Sequence, residues 1–468
     1  MSDVLTHIVR EKYGNLPTLV GVMTRSAIDA YMWQQGWYIW PNEERYHPRP
    51  DVALNSAQSI GCPSWDGVGG GDWKDLSPGV HYGPATEYVS SQMTGQFDEI
   101  RSRIRIAIGN LDELPNPDGF NSVAHRVAGV RHHLVLDETL GGDDIEVSLQ
   151  DAFNKAEVAL TSMGGITFTL FNSNYLQRLH STVILFYKMV QALEAALRAE
   201  GSFWQETRDI VVRMVASATG SFSTYAHQQV IEELNWGMLF ALGKAILAGV
   251  GFAMPGNAGI IGIAGAIFEC FTRNITADTA TAKTPTPTDY DGVMGAFEES
   301  LTELIATVAS KETDLNDALV SLQDLVNQND ASFDLAHPFR NVDDPGKLDM
   351  TGVITLDDTF VNMLTDGLSY IYDSLLIASN ELLSGLDNIP WIRPEGLGYS
   401  APTGCYRAWS NLLYWLHDRI SDASEEVIES KIKLKLLIQA FRDHDNSAAN
   451  QFHRYSDAIN GYNPYNLN

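Results

Sequence analysis

Apolar residues recur at alternate spacings of three and four along much of this chain, and this heptad pattern limits what the chain can fold into. One such seam consists of Leu176, Leu179, Val183, Phe186, Val190, Leu193 and Leu197. This spacing places the apolar side chains on one narrow stripe of a helix, which needs another helix to cover it. We therefore expect a helix that packs lengthwise against another helix.

The residues after this seam predict a tight turn. Gly201 is the residue type that most often follows a helix end, and Ser202 and Gln205 have the spacing of a capping box. A second seam then follows, with members seven residues apart: Trp204, Val211, Ala218 and Tyr225. We expect residues 175–228 to form a two-helix hairpin whose seams face each other.

The same spacing returns elsewhere, at 93–111, 294–325, 361–382 and 406–441. Only Ser430 interrupts the last of these seams, and Lys311 is the one polar intrusion in the second. Alternation typical of a β-strand is confined to a short run at 166–171. The expected fold class is all-α, with elongated antiparallel helical bundles, coiled-coil-type seams and a loop-rich N-terminal segment.

Composition divides the chain into parts. The first 80 residues contain five of the ten Trp, many prolines and a glycine-rich run, a composition typical of loops held to a core by aromatic side chains. A small-residue, Thr- and Pro-rich run at 276–288 is typical of a linker. The expected parts are a loop-rich aromatic segment (1–80), a helical bundle containing the hairpin 175–228 and an apolar hairpin 236–271 (81–275), the linker (276–288), and a second helical bundle with a long C-terminal helix (289–468).

The chain is strongly acidic. Its 59 Asp and Glu against 31 Lys and Arg give a net charge of -28, which argues against nucleic acid and anionic lipid as partners. The three cysteines are far apart and show neither a metal-ligand spacing nor a disulfide framework. The N-terminus lacks a basic stretch followed by an apolar one, so we expect no general secretory signal. We expect secretion or an envelope location by a signal-peptide-independent route, and otherwise the cytoplasm.

Residues 236–271 contain two apolar runs separated by Pro255. Trp236 begins the first run, and Gly262 is one of eight glycines in the stretch. These features predict a membrane-inserting helical hairpin. Length opposes it, because the second run would reach only about 21 Å across a hydrocarbon core of about 30 Å. Lys244 in the first run adds a cost of about 2.5–3.5 kcal/mol, so we expect a helical pair buried in a soluble core, with conditional membrane insertion as the alternative.

No catalytic, cofactor-binding or metal-binding residues are predicted. His132 and His133 are adjacent, so they cannot share a helical face as two metal ligands do. The glycine run that begins at Gly67 lacks the Lys and Ser or Thr that complete a phosphate-binding loop. An enzyme or toxin whose site is assembled from distant residues remains an alternative.

Taken together, the absent signal peptide, the acidic helical build, the Gly-rich apolar helices and the hairpin with Trp204 near its turn resemble the actinobacterial type VII (ESX) secretion substrates. These form the WXG100-like helical superfamily. The resemblance covers residues 85–271, and a second such helical unit begins at Cys405. Here Gly201 precedes Trp204, so the order differs from the W-x-G of the family.

The resemblance implies a protein that is exported folded, as a helical dimer. It assigns the hairpin and secretion signal to Gly201, Ser202 and Trp204, and the export motif Y-x-x-x-D/E to Tyr414 and Asp418. We therefore expect a non-enzymatic protein that acts through helix–helix contact with itself or a small helical partner and engages secretion machinery. A pore-forming protein that uses 236–271 is the first alternative, and membrane contact is expected only conditionally.

Overall fold

The structure, a computed structural model, describes residues 13–39, 44–49, 58–75, 84–109, 111–136, 148–227, 289–335, 356–393 and 403–460. Helices make up most of this part of the chain, which confirms the all-α fold class. The helices are α1 (Leu16–Gln34), α2 (Pro84–Ile108), α3 (Pro117–Val130), α4 (Ser148–Met163), α5 (Ile166–Phe171), α6 (Gln177–His227), α7 (Tyr290–Gln328), α8 (Asp330–Phe333), α9 (Asp358–Leu383) and α10 (Tyr406–Asn460).

Helix α6 continues through the position of the predicted turn, so the prediction of a hairpin at 175–228 was wrong. It runs for 51 residues, a length of about 77 Å. Trp204 Nε1 donates to the Glu200 carboxylate at 2.9 Å. This bond joins residues four apart on either side of Gly201, the spacing at which side chains meet on one face of a helix. Ser202 is exposed within the helix and does not cap one.

Gly201 is explained by the close approach of α3. A Cβ at position 201 would lie 3.3 Å from the Phe120 Cβ and 3.3 Å from the Asn121 Oδ1. A glycine inside a helix costs about 1 kcal/mol relative to alanine, and at this crossing it lets two backbones come together. A glycine after a heptad seam is compatible with a helix end or with such a crossing, and the sequence does not distinguish them.

Helix α6 packs against α1, α3 and α7, and α7 runs antiparallel to it. The Phe222 ring lies 5.9 Å from that of Tyr290 at the start of α7. At the other end, the Phe186 ring lies 6.4 Å from that of Phe333 in α8. The antiparallel pairing expected within 175–228 is therefore made with a helix from the other side of the predicted linker.

Helix α10 lies antiparallel to both α6 and α9. Trp409 Nε1 donates to the Leu193 carbonyl oxygen at 3.1 Å, and the Ser379 Oγ lies 2.8 Å from the His417 Nδ1. Helix α9 also crosses α4 closely, since a Cβ at Gly367 would lie 2.7 Å from the Ala152 carbonyl oxygen. These contacts join α4, α6, α9 and α10 into one packed group.

The N-terminal segment is more ordered than its composition predicts. After α1 it forms four antiparallel strands paired in chain order: β1 (Trp37–Ile39), β2 (Arg45–Pro48), β3 (Gln58–Gly61) and β4 (Trp73–Asp75). Strands of three or four residues place at most two side chains on each face, so they show no readable alternation. The alternating run at 166–171 instead forms helix α5. Phe168 and Phe171, three residues apart, lie on the same face of this helix and are both buried.

One hydrophobic core spans both sides of the predicted linker. Buried side chains of α1, α3, α4, α6, α7, α9 and α10 belong to a single cluster. The linker at 276–288 and the apolar stretch at 236–271 lie outside the described residues. The hydrophobic core is therefore shared by the helices before and after the predicted linker, and it is not divided into two cores there.

Candidate functional site

Trp204 lies at the centre of a buried cluster of charged and aromatic side chains. Its ring is fully buried, and the Arg393 guanidinium carbon lies 4.5 Å from the ring centroid, within cation–π range. The same guanidinium lies 6.0 Å from the ring of Phe120 in α3. Because these residues come from α6, from α3 and from the segment after α9, the cluster joins three elements beside Gly201.

The cluster contains two carboxylates and one guanidinium. Arg393 Nε donates to Glu312 Oε1 at 2.7 Å, and Arg393 Nη2 lies 3.6 Å from Glu200 Oε2, beyond hydrogen-bond distance. All three side chains are buried. Burial raises the pKa of Glu200, and the positive charge of Arg393 opposes that rise. Arg393 is therefore the cation that makes two buried carboxylates tolerable.

Cys405 and Gly404 close the cluster at the start of α10. The Cys405 thiol donates to Glu200 Oε1 at 3.2 Å. Burial, with the negative charge of Glu200, raises the pKa of this thiol well above its usual range, so the thiol stays protonated. Gly404 has a φ of 61°, and a Cβ there would lie 2.9 Å from Arg393 Nη2. The charged and thiol groups of the cluster interact with one another inside the core. The cluster therefore fixes how α6, α7 and the start of α10 pack together.

The one literal W-x-G of the chain, Trp65 to Gly67, forms a tight loop on α1. Gly67 has a φ of 78°, and a Cβ there would lie 2.9 Å from the Thr24 Cβ. The Arg25 guanidinium lies 5.1 Å from the Trp65 ring centroid, and its Nε donates to Asp29 at 2.8 Å. The tripeptide therefore belongs to the loop between β3 and β4, which packs on α1, and it is not a turn that joins two helices.

The residues of the predicted secretion signal are not brought together. Gly201 and Trp204 are buried in the core, whereas Ser202 is exposed on α6. Tyr414 and Asp418 are both exposed on α10, one helical turn apart. Only Tyr414 and Asp418 share one exposed helix face.

The predicted membrane-inserting residues Trp236, Lys244, Pro255 and Gly262 lie outside the described residues, and their role stays a prediction. None of the helices that the structure describes is both long and apolar enough to span a membrane.

Within the same described ranges, no group of three or more His, Cys, Asp or Glu side chains is placed to hold a metal ion. Of the histidines near residue 130, His133 has its Nε2 3.3 Å from Glu381 Oε2.

A surface groove of about 540 Å³ lies between α2 and α7. Two rows of side chains line it, and each row has members at positions i, i+3, i+4 and i+7 of its helix: Glu99, Ser102, Arg103 and Ile106 on α2, and Glu298, Leu301, Thr302 and Ile305 on α7. The Arg103 guanidinium donates to the Glu298 carboxylate at 2.7 and 2.9 Å. This two-bond pair holds the two helices at a fixed separation.

Sequence reasoning missed Glu312, Arg393 and the groove. Lys311, the polar intrusion noted in the seam of α7, is paired with Asp314 at 3.2 Å, and the neighbouring Glu312 is the residue that enters the core. A polar residue in a heptad seam was the available signal for Glu312. Arg393 follows a proline-containing segment and has no local pattern that indicates burial.

Comparisons with known proteins give no relative for this chain. No family model matches it, and neither a curated protein nor a solved structure does. What the groove and the exposed helix faces do is therefore inferred from their geometry and chemistry.

Proposed function

We propose that this is a non-enzymatic helical protein that acts through helix–helix contact with itself or a small helical partner, in association with a type VII secretion system. Exposed apolar side chains at helical spacing carry the proposal. On α10, Ile432 and Leu436 are one turn apart and 53% and 67% exposed. On α9, Tyr370 and Ile377 are two turns apart and also exposed. Apolar side chains spaced in this way form a stripe that a further helix covers.

The link to type VII secretion is supported by the position of the Y-x-x-x-D pair. Tyr414 and Asp418 share one exposed face near the start of the longest described helix. A secretion machine that reads a folded helical substrate needs such a face to be accessible. Trp204 supports the fold instead, because its buried ring cannot be contacted by a partner without unfolding the core.

Export can be tested in an actinobacterial host with an active type VII system. Cells are fractionated into cytosol, envelope and medium, and the protein is quantified in each fraction. Tyr414→Ala should lower the exported fraction about tenfold or more, whereas Val158→Ala, which removes a similarly exposed apolar side chain from α4, should leave it unchanged. A wild-type protein confined to the cytosol, or equal losses for both variants, would contradict the proposal.

A further inference from the structure

The groove between α2 and α7 has the shape of a binding site for another helix. Each wall is a row of side chains at the spacing of one helical face, so a third helix lying between them would meet both rows along its length. Ile106 on one wall is 76% exposed, and Ile305 on the other is 36% exposed. Sites for small molecules bury about 70–90% of the ligand surface, which a trough with so exposed a wall does not achieve. An elongated apolar stripe fits it better.

The charges around the groove restrict the kind of helix that can bind there. The Arg103 guanidinium is paired with Glu298 and lies 3.6 Å from Asp291, so its charge is balanced within the protein. Glu99 is exposed on the α2 wall, and Asp291 is exposed beside the α7 wall. Three carboxylates thus surround one guanidinium, on a chain whose net charge is -28. A second copy of this acidic chain would be repelled, and a helix with basic flanks would be attracted.

We infer that this groove binds an amphipathic helix of a partner protein whose apolar stripe is bordered by Lys or Arg. The stripe covers Ile106 and Ile305, and the flanking cations meet Glu99 and Asp291. The inference rests on the proposed function in that both require helix–helix contact, and it adds the site and the charge of the partner helix.

Two matched peptides test the inference on the full chain. Both are about 21 residues long, carry the same Leu stripe at heptad spacing and bear a fluorophore; one has Lys and the other Glu at the flanking positions. Fluorescence anisotropy at low salt should show the Lys peptide binding about tenfold or more tightly than the Glu peptide. The difference should shrink as salt screens the charges.

Variants then locate the site. Ile106→Arg should weaken binding of the Lys peptide about tenfold or more, because it fills the trough with a cation. Ile389→Arg makes the same change at an Ile that follows α9 and is 72% exposed, and it should leave the affinity unchanged. Far-UV circular dichroism and the melting temperature of both variants should match the wild type, since each replaces an exposed side chain.

Several results would overturn the inference. These are equal affinity for the two peptides, equal effects of the two variants, or a wild-type homodimer in sedimentation that Ile106→Arg dissociates, which would make a second copy the occupant. A benzophenone placed at Ile106 that crosslinks within the chain would show that the protein's own residues fill the groove. If peptide binding fails while export still depends on Tyr414, the groove inference falls and the proposed function stands.

Discussion

At the scale of single residues, the fold depends on how the buried charges of Arg393, Glu200 and Glu312 are balanced. Removing one partner of a buried ion pair leaves the other charge without compensation, which costs far more than the pair itself contributes. Arg393 faces two carboxylates, so its loss is the most damaging change within the cluster. Exposed pairs elsewhere on the helices are screened by solvent and contribute little.

Arg393→Ala should lower the free energy of unfolding by about 3–5 kcal/mol, because Glu312 and Glu200 would remain buried without a cation. The matched control is Arg126→Ala, which removes a surface pair with Asp387 at 3.2 Å and should cost about 0–1 kcal/mol. Urea denaturation of both variants measures the difference. Equal costs would mean that the cluster is not held by its charges.

A second residue, Glu426 on α10, makes stability depend on pH. Burial raises its pKa from 4.5 to about 7, and the negative charges of Asp334, Glu429 and Asp422 add to the rise while Lys433 opposes it. Between these two values the folded state holds a proton that the unfolded state has lost. Its contribution therefore favours folding at low pH and is lost as pH rises through about 7.

Glu426→Gln should consequently raise the melting temperature at pH 8.5, by about 2 °C or less because the side chain is only half-buried. At pH 5 the increase should be smaller, since the native carboxyl is already protonated there. Glu425→Gln changes the neighbouring exposed carboxylate and serves as the control. Differential scanning fluorimetry at both pH values measures the effect, and an increase independent of pH would contradict the assignment.

At the scale of elements, local spacing predicted the helices, but it did not predict what each helix packs against. Heptad spacing is a property of neighbouring residues, so the seams of α6, α7, α9 and α10 could be located from the sequence. The partner of each seam is set by contacts between distant residues, and α6 packs against α1, α3 and α7 and not against its own second half. The strands β1 to β4 are too short to show alternation, so they were missed.

The candidate site divides in the same way. Trp204 was singled out by its position in a seam, and it does lie at the centre of the buried cluster. Arg393 and Glu312 were not identified, because a single charged residue has no local pattern that shows whether it is buried and paired. The groove was missed because its walls come from helices about two hundred residues apart in sequence. The spacing of apolar residues within one helix does not show which distant helix lies beside it.

Glycines within helices provide a prediction at this scale. Gly367→Ala should destabilise the protein by about 1–3 kcal/mol, because the new Cβ would lie 2.7 Å from the Ala152 carbonyl oxygen where α9 crosses α4. Gly295→Ala in α7 meets no atom within 4 Å and should stabilise by about 0.5–1 kcal/mol through helix propensity alone. Chemical denaturation of the two variants compares them. Shifts of the same sign would show that α9 and α4 are not in close contact.

At the scale of the whole molecule, α6 is the axis to which the other elements attach. Near its C-terminal end, the Ser223 Oγ donates to the Ser26 Oγ of α1 at 3.2 Å. In its middle, Glu200 and Trp204 belong to the Arg393 cluster. In its N-terminal half, the Thr182 hydroxyl donates to the Ser332 carbonyl oxygen of α8 at 3.2 Å. A break at Gly201 would separate these attachments, so the architecture depends on the continuity of α6.

Double electron–electron resonance between spin labels at Ser181 and Ser221 measures whether α6 is continuous. Labels carried by a non-natural amino acid leave the three native cysteines unchanged. A continuous helix places these positions about 60 Å apart. A hairpin turning at Gly201 would bring them to within about 10–20 Å, the separation of packed helices plus the labels. The structure predicts the long distance, and a dominant short distance would contradict it.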